Sequence, residues 1–169
     1  MDQAAQIQIA LRSLTEHEAD YGVKVHPRVV AFFESGEAWK HHRRCLPPGT
    51  ELPMMEPGSF RLCVTNPSWM AHTWSGLDDA VVGSSGDWES AKKFIPVFVV
   101  DHAKFIVVRH SDGAVGWFEE ETWQMNRDGY EDGVFLLAES LDDFVSRLVE
   151  LAKADWETEE DLEAWEFEP

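Results

Sequence analysis

Cysteine is scarce in this chain: Cys45 and Cys63 are the two in 169 residues. They stand in unrelated contexts, without the close spacing of a zinc knuckle or a CxxC redox pair. The sequence therefore predicts two reduced thiols and no disulfide framework. Long apolar runs are missing too. No stretch approaches the roughly 18 uninterrupted apolar residues a membrane helix needs. The N-terminal MDQAAQIQIALRSL is broken by Gln and Arg, so it does not read as a signal peptide. Together these absences predict a cytoplasmic protein. Positive charge is the third scarcity. Fourteen Lys and Arg face 32 Asp and Glu, for a net charge of −18. A surface that negative repels phosphate backbones and anionic headgroups, which argues against nucleic acid and membrane as partners.

Catalytic signatures are equally thin. The chain has no P-loop, no GxGxxG, no HExxH and no DxDxDG calcium loop. Ser84-Ser85-Gly86 lacks the strand and helix that flank a hydrolase nucleophile. The seven histidines, His17, His26, His41, His42, His72, His102 and His110, show no ligand spacing and read as structural or surface residues. His102 and His110 fall near opposite ends of one expected strand, away from a common centre. Glu119-Glu120-Glu121 cannot converge on one metal, because adjacent strand positions face opposite sides. No catalytic residue, cofactor or metal is expected. A carboxylate pair acting in an unrecognised enzyme site is the alternative from that class, and 32 acids would supply such a pair by chance.

What is present is acid, aromatic bulk and strand. Residues 101–169 carry 20 acids and 5 bases, which is −15 of the −18. Eight Trp and ten Phe suffice for a core and leave rings for an interface. Asp2 to Tyr21 has Ile7, Ala10, Leu11 and Leu14 at helical spacing, with Gly22 as its C-cap. Pro27 suits the first turn of a second helix, whose stripe of Val29, Phe32, Phe33 and Gly36 runs on to Trp39. From Lys40 to Gly58 regular structure should fade among prolines and glycines, after a basic cluster, KHHRR. Those bases are expected to answer nearby carboxylates or to form a local contact surface. SFRLCVT (59–65) alternates as a half-buried strand.

FIPVFVV (94–100), KFIVVRH (104–110) and AVGWFEE (114–120) make an antiparallel meander, because their loops are too short for a crossover. GVFLLA (133–138) is a further strand, expected to be buried. Ser140 caps a helix whose apolar period runs through Leu141, Phe144, Val145, Leu148 and Leu151 to Ala154. The tail 155–169 has eight acids, no base, and Trp156, Trp165 and Phe167. The expected fold is α+β, one domain over 1–169, with a central, mostly antiparallel sheet packed by N-terminal and C-terminal helices.

The order of these blocks resembles the SUKH superfamily, which includes a yeast cell-wall-synthesis regulator domain and many bacterial immunity proteins. Trp88 precedes the central block. FIPVFVVDHAKFIVVRHSDGAVGWF (94–118) looks like that block, a strand carrying "IP", a second strand, an Asp-Gly turn and a strand ending in an aromatic. FLLAESLDDFVSRLVEL (135–151) looks like the closing element, and Pro27 to Phe33 is compatible with the N-terminal helices. The likeness spans about 25–152 and is strongest over 88–152. Departures are the basic, proline-rich run 40–59, Asp101-His102 where Gly-Asp is usual, and the acidic aromatic tail.

The resemblance implies an α+β binding module with no catalytic residues to carry over. In bacteria it implies an immunity protein that sterically neutralises a toxin, often a nuclease. The expected partner is thus a basic toxin domain, steered in by the acids and held by aromatic anchors. Candidate contact acids are Asp78, Asp79, Asp87, Glu119, Glu120, Glu121, Glu131 and Asp132, with Trp88, Trp117 and Trp123 as anchors. Trp117 alternates with Val115 and reads equally well as core. A non-immunity adaptor of the same fold is the second reading.

Overall fold

Apolar residues fill almost every position of the three central strands, and the pleat sends alternate ones to opposite faces. In β4, Phe105 and Val107 join one buried cluster while Ile106 and Val108 join another. Both faces of the sheet are therefore packed. The computed structural model describes residues 2–47, 50, 52, 62–64, 91–101, 104–119, 130–131 and 134–150.

Among these residues, three helices come first: α1 (Gln3–Tyr21), α2 (Pro27–Glu34) and α3 (Glu37–Lys40). Then come β1 (Arg44–Cys45), β2 (Cys63–Val64), a 3-10 turn (Ala91–Lys93), β3 (Phe94–Asp101), β4 (Lys104–Arg109) and β5 (Val115–Glu119). The order closes with β6 (Tyr130–Glu131), β7 (Val134–Ala138), α4 (Leu141–Ser146) and β8 (Val149–Glu150). A six-stranded sheet runs β2-β3-β4-β5-β7-β6 with every pair antiparallel, and β1 pairs β8 in a separate two-stranded ladder. The α+β class and the β3–β4–β5 meander follow the sequence expectation.

Local chemistry explains each helix start. Asp2 Oδ1 accepts from the Ala5 amide at 2.8 Å and caps α1, while Gly22 ends it with φ of 63°. His26 Nδ1 accepts from the Arg28 amide at 3.3 Å ahead of Pro27 in α2. Ser140 Oγ accepts from the Asp143 amide at 3.1 Å and caps α4.

The helices cover one face of the sheet. Ala10, Leu14, Val29, Phe32, Phe33, Phe144 and Val145 pack with Ile95, Phe98, Ile106 and Trp117 in one core. Phe32 meets Phe98 edge-on at 5.9 Å between centroids, and Phe144 lies 6.4 Å from Phe98 on the other side. Burying such a ring is worth about 1.5–3 kcal/mol. The opposite face gathers Phe94, Val99, Phe105, Val107, Phe118 and Val134, with Tyr21 against them. A register shift between Pro96 and Phe98 turns the adjacent Val97 and Phe98 toward the same core. Pro96 has no N–H to give to the ladder, and a bulge is where a strand tolerates it.

Four sequence expectations need correction. The helix after Ser140 does not reach Ala154. It ends at Ser146, and Val149–Glu150 pair with Arg44–Cys45 as strand. Leu148 is buried, so it meets the apolar period without helical backbone. The stripe from Pro27 to Trp39 is not one helix either. It breaks at Ser35-Gly36, where Gly36 has φ of 73°, a left-handed conformation that glycine adopts without a Cβ penalty. The run 40–58 is not wholly irregular, because β1 lies in it. Finally, β7 is only partly buried. Val134 is inside, but Leu136 is 37% exposed.

The KHHRR cluster serves the fold. Arg43 takes φ of 67°, and its amide donates to Leu62 O at 2.8 Å while Arg44 O accepts from the Leu62 amide at 2.7 Å. His41 stacks on Phe32 at 5.9 Å, and His42 Nδ1 accepts from the Val64 amide at 3.2 Å. Part of the expectation of nearby carboxylates also holds. Arg44 lies 4.0 Å from Glu150, whereas burial and the Arg44 charge hold the His41 ring, 3.8 Å from Glu37, below the usual imidazole range.

Candidate functional site at the ends of the sheet

Antiparallel pairing decides which residues share an end of the sheet. At one end Asp101 and Glu119 both pair with Lys104 across the β3–β4 and β4–β5 ladders. Phe118 pairs Val134, and Val134 in turn pairs Glu131. Glu131 is therefore one register level from Glu119 and two strands over, a lateral separation of about 10 Å. Among the described residues this end carries Asp101, Glu119 and Glu131 against Lys104. At the other end, Phe94 pairs Arg109 and follows Lys92 and Lys93. Among the described residues the sheet thus carries mainly acids at one end and mainly bases at the other, a polarity that strand-by-strand reading did not anticipate.

Of the candidate contact residues, the register brings Glu119 and Glu131 together at the acidic end. Asp78, Asp79, Asp87, Trp88, Glu120, Glu121, Trp123 and Asp132 lie outside the described residues. Trp117 is corrected as an anchor. It is fully buried beside Val115, Ile106 and Phe98, so it belongs to the core and cannot reach a partner.

No carboxylate side chain among the described ones is buried. Glu139, Asp142, Asp143 and Glu150 stand exposed around α4 and β8. Cations tie Asp142 and Asp143 to the fold. Arg28 grips Asp142 through Nε at 2.9 Å and Nη2 at 2.7 Å, and Nη2 also reaches both Glu37 oxygens at 2.8 and 2.7 Å. The Arg28 guanidinium holds the Asp142 carboxyl below its usual range. Arg147 Nη2 is 4.0 Å from Asp143. Among the described residues no three His, Cys, Asp or Glu side chains are grouped to hold a metal.

The titratable groups most altered by the fold are two histidines. Burial pushes His17 down to about 4, reinforced by the neighbouring His110 and opposed by Glu18. Burial likewise pushes His110 down to about 4, with Glu18 opposing and His26 adding. Both rings are neutral at physiological pH. Their meeting joins α1 to the end of β4 and had no signal in the sequence, where positions 17 and 110 share no motif. The expectation that His110 and His102 lie away from a common centre is a separate matter, since His102 is outside the described residues.

Cys45 is a buried thiol outside any disulfide, 3.6 Å from Val149 O across the β1–β8 ladder. No helix among the described residues is long and apolar enough to cross a membrane. Comparison with known proteins gives no match: no family model fits the chain, and no curated protein or solved structure is significantly similar to it.

Proposed function

We propose that this chain is a protein-binding module of the SUKH kind, a cytoplasmic immunity protein that docks on a basic toxin domain and blocks it sterically. The observation that carries this reading is the acidic end of the sheet, where register puts Asp101 and Glu119 on either side of Lys104 and Glu131 two strands beyond Glu119. With −18 on the whole chain, a basic partner is drawn in and oriented before contact. Acidic residues at that sheet end would occupy the places a nuclease reserves for phosphates. Outward placement of the described carboxylates supports the same reading. The resemblance in block order supplies the immunity role, and it is part of the proposal.

The test is co-purification of the partner from the native cell, then binding of the purified chain to that partner at rising salt, with toxin activity followed in parallel. Association should weaken steeply between 0.05 and 0.5 M salt, on the order of tenfold or more, as the Debye length shrinks. The toxin should lose activity at one equivalent. A partner that binds equally at all salt concentrations, or that stays active when bound, overturns the reading. A salt-sensitive complex with a cellular protein that is no toxin would favour the adaptor of the same fold.

A further inference from the structure

Few side chains hold α1 to the rest of the fold. Of its nineteen residues, Ala10, Leu14 and His17 are buried. His17 is the one buried polar residue among those described. The last turn of α1 has no basic residue, and its Glu18 and Asp20 stand where the partial negative charge of a helix C-terminus repels carboxylates. Gly22 then turns the chain with φ of 63°, a pivot between α1 and the connection to α2. Docking, rather than intrinsic helix stability, therefore keeps this end in place. The docking contacts are specific. The His17 ring lies against His110 at the end of β4, with centroids 5.6 Å apart. One turn on, Tyr21 packs against the cluster of Phe94 and Val107. Glu18 reaches past the pivot, accepting from the Val25 amide at 3.0 Å and from Lys24 Nζ at 2.7 Å.

Charged groups face the histidine pair from each neighbouring element. Glu18 comes from α1, and Lys24 and His26 come from the α1–α2 connection. Lys92 and Lys93 come from the 3-10 turn, and Arg109 and Asp112 from the end of β4 and its turn. Glu18 engages Lys24, and Asp112 engages Arg109 at 2.9 and 2.7 Å. His110 borders a cleft of about 780 Å³, with Val23 and Lys24 on its far wall, so the connection has room to move. Among the described residues neither ring nitrogen of His110 has a hydrogen-bond partner. A proton added there would have no acceptor to share it. Burial is the main influence keeping both rings neutral. His110 adds to it at His17, His26 adds to it at His110, and Glu18 works against it at both.

We propose that His17 and His110 form an acid-released latch, in which protonation lifts the last turns of α1 from the sheet while β3, β4 and β5 stay paired. Two neutral rings can share one buried site, but two imidazolium ions there would be desolvated and would repel each other. Release returns both rings to water. A charged His17 is moreover favoured near the C-terminus of the freed helix. The meander has no such weakness, because Ile95, Phe98, Ile106, Val108 and Trp117 hold it through apolar contacts. Release also parts Val23 and Lys24 from the β4–β5 turn, so the cleft belongs to the latched form. With both rings near pKa 4 when latched and near 6.5 when free, opening is promoted as pH falls across that interval. Each proton taken up steepens the response by up to about tenfold per pH unit. The latch lies at the opposite end of the sheet from the acidic residues assigned to protein docking, and it stands or falls independently of that assignment.

The test is amide hydrogen exchange of the whole chain by NMR from pH 7 to 5, with rates corrected for the intrinsic effect of pH. Protection of residues 17–22 should fall by about tenfold or more over this range. At each pH it should also lie about tenfold or more below that of residues 105–108 and 115–118, the mark of an opening smaller than global unfolding. His17→Gln and His110→Gln should each flatten the pH dependence at 17–22. The native chain alone already decides the matter if a variant fails to fold. Equal protection in helix and strands would mean a single global unfolding and would overturn the latch. So would protection at 17–22 that ignores pH, which is simple fraying, or folded variants that keep the native slope.

Discussion

His17 on α1 and His110 at the end of β4 lie with ring centroids 5.6 Å apart and planes tilted by 42°. Tyr21 flanks His17 at 4.8 Å on the same helix. Both imidazoles are held neutral, with pKa values of about 4 against 6.5 for a free side chain. Between pH 6.5 and 4 the unfolded chain takes up protons that the native chain refuses. Stability therefore rises with pH across this window; it is fully present above about 6.5 and lost as pH falls toward 4. The loss is up to roughly 3 kcal/mol per ring, less for coupling between the two. Asp112 belongs to a different window. The Arg109 guanidinium holds it at about 2, so its contribution survives down to about pH 3.8. Urea midpoints measured from pH 7 to 5 should fall for the native chain and fall less for His17→Gln and His110→Gln. Parallel curves for all three would remove the histidines as the cause.

Arg28 bridges α3 and α4, through Glu37 and Asp142. Its side chain is 25% exposed and Asp142 is 67% exposed, so the pair gains little by itself. The fork geometry and the second carboxylate raise its worth. Arg28→Ala should cost about 1–2 kcal/mol, including packing of the guanidinium over Phe32 at 5.6 Å. A double-mutant cycle with Asp142→Asn should give a coupling near 0.5–1 kcal/mol. A coupling of zero would mean the contact is incidental.

Trp117 offers a sharper number. Its ring is fully buried on the helix-covered face. Trp117→Ala should destabilise the fold by about 3–5 kcal/mol through lost contacts and a cavity. Chemical denaturation reads this directly. A cost below about 1 kcal/mol would restore Trp117 as a surface residue.

Ser140→Ala should cost about 1 kcal/mol, since Ser140 Oγ accepts from the Asp143 amide in a helix of six residues. Ser140→Asp should retain most of the stability, because a carboxylate can accept the same bond. Equal losses in both variants would show that the hydroxyl has another role.

The parts that were legible in the sequence are those governed by neighbours along the chain. The cap at Ser140, the stop at Gly22, and the short turns between β3, β4 and β5 each depend on a few consecutive residues. Periodicity was less reliable where burial alone could satisfy it. Leu148 keeps the apolar spacing of α4 yet lies beyond its end, and Gly36 interrupts a stripe whose apolar residues read straight through. Burial of Trp117 required knowing which face of β5 the helices cover. The candidate sites were the least legible. Glu119 and Glu131 share a sheet end only because β7 inserts between β5 and β6. Lys24, Lys92, Lys93 and Arg109 meet from segments whose spacing carries no pattern at all.

The ladder of β1 and β8 has a consequence for how the chain assembles. Cys45 and Val149 are 104 positions apart, and each strand contributes two residues. The entropy lost in bringing such remote points together grows with the logarithm of the span, while so few bonds return little. The hairpins of the meander close over a handful of residues and meet no comparable obstacle. The order expected from this is that the meander zips first, the helices settle on it, and the remote pair clasps last. It should also be the first to open, which makes exposure of the Cys45 thiol an early signal of unfolding.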